Sequence, residues 1–112
     1  MIESKQVWRK SMMSTYSESG LDEYECIASL ENGQLIVKYD DDAISSGHVV
    51  YQGAEIGEGH WQLSGSDGGV ATLHRLKDAM RLDGFWEVKE AKGMWRVRLF
   101  DSHLDLTQAE DV

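Results

Sequence analysis

The chain of 112 residues lacks proline and has a single cysteine, Cys26. Because proline interrupts the hydrogen bonds of a β-ladder, its absence is compatible with one nearly continuous sheet. One cysteine cannot form an internal disulfide, so the fold must depend on its core. We therefore expect Cys26 to be a small buried thiol in a reducing compartment.

Basic residues are also scarce, since 11 Lys and Arg face 20 Asp and Glu and the net charge is −9. Proteins that bind nucleic acids use Lys and Arg to neutralise phosphates, so we expect no nucleic-acid partner. No apolar run approaches the roughly 20 residues of a membrane span. The first residues also lack the basic-then-apolar order of a signal peptide. The sequence therefore predicts a cytoplasmic protein without a membrane partner.

Motifs for catalysis and metal binding are lacking as well. No two histidines have the close spacing of metal ligands; they stand at His48, His60, His74 and His103. The segment 65–68 is one residue short of a Gly-x-Ser-x-Gly nucleophile motif, and 40–42 lacks the alternating ligand order of a calcium loop. We expect no catalytic residue, no metal and no cofactor, and an enzyme is the least favoured class of function.

The chain does contain a repeated aromatic motif. Gly-x-Trp-x-[Leu/Val] occurs at residues 59–63, 84–88 and 93–97. In a strand, whose side chains alternate between two faces, this motif puts its glycine, tryptophan and aliphatic residue on one side. It predicts neighbouring antiparallel strands whose three indoles meet on one inner face, with glycines where the sheet bends.

Alternation of apolar and polar residues continues from Tyr24 to Leu99 and predicts about seven strands joined mostly by short turns. The strongest hairpin signal is Asn32-Gly33, because a type I′ turn needs positive φ at both central residues. Residues 40–47, 64–69 and 90–93 are expected to be connections. A twisted antiparallel meander of this size either closes into a barrel or forms a half-open clamp. We therefore expect an all-β fold, with closure favoured.

The N-terminal segment has a different pattern. Trp8, Met12 and Tyr16 are spaced by four residues, which favours an amphipathic helix over residues 3–17. A first strand centred on Trp8 remains the alternative. The predicted organisation is a helical or irregular arm over residues 1–20, a single β-barrel domain over 21–106 and a flexible acidic tail over 107–112.

Through the motifs at 59–63, 84–88 and 93–97 the chain resembles the calycins, the group of lipocalins, fatty-acid-binding proteins and avidins. The resemblance covers roughly residues 24–99, and this chain departs from the pattern by being short and by repeating the motif late. It implies an antiparallel barrel that binds a small apolar molecule inside. Residues 71–75, 82–86 and 93–97 are also similar to short bacterial proteins without assigned activity.

Two classes of function stay open. The first is a binding module for a small apolar or aromatic ligand inside the barrel. Its candidate ligand-contacting residues are Tyr39, Trp61, Leu73, His74, Arg75, Leu82, Trp86 and Trp95.

The second class is an interaction module without a cavity. Phe85 and Met94 each stand beside an inward tryptophan, so both are expected to point outward as a contact surface for a homodimer or another partner. Coverage of this pair by residues 3–17 of the same chain is the competing interpretation.

Overall fold

The computed structural model describes residues 4–41, 47–100 and 102–106, and all the regular elements of those residues are β-strands. In chain order they are β1 (Ser4–Ser17), β2 (Gly20–Glu31), β3 (Gln34–Asp40), β4 (His48–Gly57), β5 (His60–Gly65), β6 (Val70–His74), β7 (Arg81–Val88), β8 (Ala91–Arg98) and β9 (Ser102–Leu106).

The first eight strands form a closed antiparallel barrel. Each strand pairs with the next one along the chain, and β1 pairs with both β2 and β8, which joins the two edges of the sheet. The ninth strand pairs with the first part of β1, from Ser4 to Trp8, beyond the part that β8 uses. The predicted all-β meander and its closure are confirmed, with nine strands in place of about seven.

The helix expected over residues 3–17 is wrong, and the alternative of a first strand through Trp8 is confirmed. Opposite β2 the register changes, because Trp8 pairs with Ala28 whereas Ser11 pairs with Cys26. This β-bulge inserts one extra residue into β1 and reverses the faces that follow it. Trp8 and Met13 are therefore both buried, whereas Tyr16 is 44 % exposed, so Trp8, Met12 and Tyr16 do not share the single face that the helix prediction required.

Two hairpins show how local sequence sets the turns. The predicted Asn32-Gly33 hairpin is confirmed, with φ of 54° and 80°, as a type I′ turn requires. The connection expected at 90–93 is shorter than predicted, because Val88 pairs with Ala91 and only two residues make the turn. The first of them is Lys89, with a φ of 54°. Residues 42–46 of the predicted loop and the predicted tail 107–112 lie outside the described residues.

The repeated Gly-x-Trp motif has a geometric explanation in the β7–β8 hairpin. The register places Gly84 opposite Trp95 and Trp86 opposite Gly93, so each tryptophan faces the other strand's glycine. A Cβ atom added to Gly84 would lie 1.8 Å from the Thr72 carbonyl oxygen, on β6. The missing side chain lets the Trp95 indole N–H cross β7 and donate a hydrogen bond to that oxygen, at 3.0 Å. Glycine here permits close strand approach and strong curvature of the sheet.

Apolar side chains fill the middle of the barrel. Cys26 belongs to this core at 3 % exposure, as predicted, together with residues that are at most 1 % exposed. These are Leu35, Val37, Val49, Leu63, Leu73, Leu82, Val97 and Leu99. The partly buried side chains that pack against the core include Tyr24, Tyr39 and Trp86, and all three lie at one end of the barrel.

Candidate functional site

A cavity of about 200 Å³ opens at the barrel end that carries the β1–β2, β5–β6 and β7–β8 turns. We call it the aromatic cup. It is bordered by the C-terminal halves of β1, β3 and β7, by the N-terminal halves of β2 and β4, and by β8. Its walls are formed by Met13, Thr15, Ser17, Ser19, Asp22, Tyr24, Tyr39, Tyr51, Asp67, Trp86, Val88, Ala91 and Trp95.

Tyr51 is fixed on one side of the cup by the β5–β6 turn. Its hydroxyl group donates to both carboxylate oxygens of Asp67, at 2.8 and 3.1 Å, and the backbone N–H of Gly69 donates to Asp67 Oδ1 at 2.9 Å. A Cβ atom at Gly65 or Gly69 would lie within 2.4 Å of the Tyr51 ring or hydroxyl group. The glycines of this turn therefore make room for the phenol, and the aspartate between them holds its tip.

The remaining rings are held at fixed angles around the cavity. The Tyr24 and Tyr39 ring centroids lie 5.3 Å apart and are tilted by 45°, while those of Tyr51 and Trp95 lie 5.6 Å apart at 59°. Such tilted pairs are favourable because the edge of one ring approaches the face of the other. The Trp86 indole N–H donates to the Met94 carbonyl oxygen at 3.2 Å. Hydrogen bonds and ring packing thus preorganise the aromatic wall.

Burial and nearby carboxylates raise the pKa of the tyrosines that line the cup. Burial is the main cause that raises the pKa of both Tyr39 and Tyr51, and the carboxylate of Asp67 raises each of them further. The pKa of Tyr24 is raised by burial and then by Asp41 and Asp22. No Lys or Arg is among the described residues that line the cup, whereas Asp22 and Asp67 are.

The opposite end of the barrel is built differently. The Arg75 guanidinium carbon lies 5.3 Å from the centre of the buried Trp8 ring, a cation–π contact at that end of the core. The Trp61 indole N–H donates to the Gly33 carbonyl oxygen at 3.1 Å. A hollow of about 410 Å³ lies there, but its charged residues have both signs. They are Glu55, Glu58, Arg75, Lys77 and Asp78.

The structure divides the sequence-predicted ligand residues among four places. Tyr39, Trp86 and Trp95 line the cup, whereas Trp61 and Arg75 line the hollow at the opposite end. Leu73 and Leu82 are buried in the packed middle of the barrel. His74 is exposed on the outer face, where its ring meets that of His60, its partner across β5 and β6. The three repeated indoles therefore share the inner face without meeting at one point.

Sequence reasoning missed three residues that shape the cup. Tyr24 and Tyr51 have the same inward parity as Cys26 and Val49, so alternation alone could have placed them inside. No sequence signal identifies the third, Asp67, because its contact with Tyr51 joins the β5–β6 turn to β4 in the folded barrel. From the sequence, residues 64–69 were predicted only to form a turn.

The outer surface has a continuous apolar row, which we call the apolar ridge. Cross-strand pairing joins Leu21 to Tyr16, Tyr16 to Met94 and Met94 to Phe85, so the ridge crosses β2, β1, β8 and β7. The four side chains are 39–56 % exposed. Within the described residues, β1 does not cover the pair Phe85 and Met94, because it is part of the barrel wall and contributes Tyr16 to the same row.

Two further properties concern only the described part of the chain. It contains no cluster of three or more His, Cys, Asp and Glu side chains arranged to hold a metal ion. Nor do residues 4–41, 47–100 and 102–106 include a helix that could cross a membrane.

Comparison with known proteins does not assign the chain to a family. No protein-family model matches it, and no curated protein has a matching sequence. Its function must therefore be argued from the cup and the ridge themselves.

Proposed function

We propose that the protein binds a small apolar or aromatic molecule in the aromatic cup. The observation that carries this proposal is a contrast within the barrel. Inward side chains in the middle are at most 3 % exposed, whereas the inward rings of Tyr24, Tyr39 and Trp86 are only partly buried around a cavity. Concave, mainly apolar sites with a few placed polar groups are the usual form of small-molecule sites.

The cup limits the size of the ligand. Its volume of about 200 Å³ is below the roughly 300–1,000 Å³ of sites for drug-sized ligands. The packed core beneath it prevents a long chain from passing through the barrel. The resemblance to calycins supports the proposal in kind, because their barrels hold a ligand inside the open end. The proposed site occupies one end of the barrel and does not extend along its whole axis.

Tryptophan fluorescence provides a direct test. A ligand that enters the cup contacts Trp86 and lies near Trp95, so titration with small neutral aromatic alcohols should change the emission until it saturates. Trp86→Phe should weaken or abolish the change. Trp61→Phe is the matched control, because Trp61 lines the opposite end, and it should leave the change intact.

Two results would refute this site. One is an emission that stays constant with every ligand of a chemically varied panel. The other is a response that disappears in Trp61→Phe and persists in Trp86→Phe, which would move binding to the opposite end of the barrel.

Self-association is the second candidate function, and the apolar ridge favours it. Beside the ridge, Asp83 accepts a hydrogen bond from Arg96 at 2.6 Å and forms an ion pair with Arg81 at 3.0 Å, and Arg98 donates to Glu23 at 3.3 Å. Three arginines thus meet two carboxylates on this face of a chain whose net charge is −9. A second copy of the chain can approach here with less repulsion than a uniformly acidic surface would give.

Sedimentation equilibrium tests the second candidate. The wild-type chain should show a concentration-dependent dimer that Phe85→Asp abolishes. Ile56→Asp is the control, since Ile56 is 67 % exposed on β4 and is not part of the ridge. A wild-type chain that remains monomeric up to high concentration would exclude the ridge as a dimer interface.

A further inference from the structure

We infer that the ligand of the aromatic cup carries a methylated ammonium group of about the size of choline. This inference rests on the proposed function and narrows its chemical class. It depends on the combination of aromatic rings, carboxylates and missing basic residues around one small cavity.

The first argument is the aromatic wall. Five rings border the cavity, from Tyr24, Tyr39, Tyr51, Trp86 and Trp95. The face of an aromatic ring carries partial negative charge and attracts a cation that lies within about 6 Å of the ring centre. Rings set at angles around a small space are the usual recognition site for quaternary ammonium groups, because such cations have no N–H to donate.

The second argument is the charge at the cavity. Asp67 and Asp22 line the cup, and no described lining residue is Lys or Arg. The Asp67 carboxylate accepts hydrogen bonds from the Tyr51 hydroxyl group and the Gly69 N–H, which fix its position at the cavity wall. An anionic ligand would be repelled, and a neutral ligand would gain no attraction between opposite charges. A cation gains from both the rings and the carboxylates.

The third argument is the contrast with the opposite end. There a positive group of the chain itself, the Arg75 guanidinium, already lies over an aromatic ring, that of Trp8. No described side chain of the protein supplies an equivalent positive group to the lining of the cup. At the opposite end the protein's own Arg75 makes the cation–π contact, whereas in the cup a cationic ligand can make it.

An isosteric pair of probes isolates the charge. Choline and 3,3-dimethyl-1-butanol have nearly the same shape and differ in the positive nitrogen, which is a neutral carbon in the alcohol. Isothermal titration calorimetry of the full chain at low salt should show choline binding at least tenfold more tightly than the alcohol. Because surface charges are screened, part of this preference should disappear at high salt.

Charge variants then locate the effect. Asp67→Asn removes the charge but keeps an oxygen that can accept from Tyr51 and Gly69, so it should weaken choline about tenfold and leave the alcohol unchanged. Asp78→Asn removes the same charge at the opposite end, where Asp78 lines the other hollow, and should change neither affinity. If Asp67→Asn fails to fold, as judged by circular dichroism, Asp22→Asn gives the same comparison at the rim.

The outcomes separate the two proposals. Equal affinity for choline and the alcohol would overturn the ammonium inference and leave a neutral-ligand site in place. Equal weakening of choline by Asp78→Asn and Asp67→Asn would overturn it as well, since the effect would then belong to net charge. If neither probe nor any neutral aromatic compound binds, both proposals fail.

Discussion

Gly84→Ala tests the glycine–tryptophan geometry that curves the barrel wall. The added Cβ would lie 1.8 Å from the Thr72 carbonyl oxygen and 2.5 Å from its carbon, both of them backbone atoms of β6. Because no flexible side chain can move aside, β6 and β7 must separate. That separation also breaks the hydrogen bond from the Trp95 indole to the Thr72 oxygen, which measures 3.0 Å.

The expected loss of stability follows from these two effects. Overpacking in a well-packed region costs about 1–3 kcal/mol, and a lost intramolecular hydrogen bond costs about 1 kcal/mol. The free energy of unfolding should therefore fall by about 3 kcal/mol. With a urea m-value of about 1.5 kcal/mol/M, the unfolding midpoint should fall by about 2 M.

Gly57→Ala is the matched control for Gly84→Ala. A Cβ atom at Gly57 would meet only the His60 ring, at 3.8 Å, and the φ of this glycine is not positive. Alanine there should leave stability unchanged or raise it by about 0.4–1 kcal/mol by restricting the unfolded chain. Urea titrations followed by tryptophan fluorescence measure both variants. Similar midpoints for the two would refute the role assigned to Gly84.

Three other predictions concern the turns and the buried thiol. Lys89→Gly should raise the free energy of unfolding by about 1 kcal/mol, because Lys89 has a φ of 54° that glycine adopts without strain; an unchanged thermal midpoint would contradict this. Cys26 should not react with a thiol reagent at pH 8 in the folded protein and should react fully in denaturant, because burial raises its pKa to about 12. Above about pH 9 the unfolded chain loses the Cys26 proton while the folded chain keeps it. The contribution of Cys26 to the free energy of unfolding should therefore be fully present below about pH 9. It should fall by about 1.4 kcal/mol for each pH unit as the pH rises toward the folded pKa of about 12. Denaturation of Cys26→Ala over the same pH range should show a correspondingly smaller slope.

Over most of the chain, the alternation of apolar and polar residues correctly predicted which side chains point into the barrel. Strands with a strict period of two, such as β3 and β8, have their predicted faces, and Asn32-Gly33 forms its predicted turn. The helix predicted for residues 3–17 was wrong. In β1 the bulge between Trp8 and Ser11 changes the face on which the later residues of this strand lie. This bulge is held partly by a residue far away in the chain, which the local pattern of β1 does not contain. Here the buried Ser11 hydroxyl group donates to the Trp8 carbonyl oxygen and accepts from the N–H of Phe100.

The candidate site was predictable only in part, because a strand pattern gives the face of a residue and not its height along the barrel. Tyr39, Trp86 and Trp95 were placed inside by alternation, and so was Trp61. Only pairing across several strands puts the first three at one end and Trp61 at the other.

Sequence by itself determined an all-β antiparallel meander, because alternation of side chains and turn residues are local properties of the chain. It also determined the net charge and the lone cysteine. Tertiary structure alone decided closure through β1, the placement of Asp67 against Tyr51 and the union of Leu21, Tyr16, Met94 and Phe85 in one ridge. Each of these depends on register between strands, including strands far apart in the chain, and register is fixed by the packing of the whole barrel.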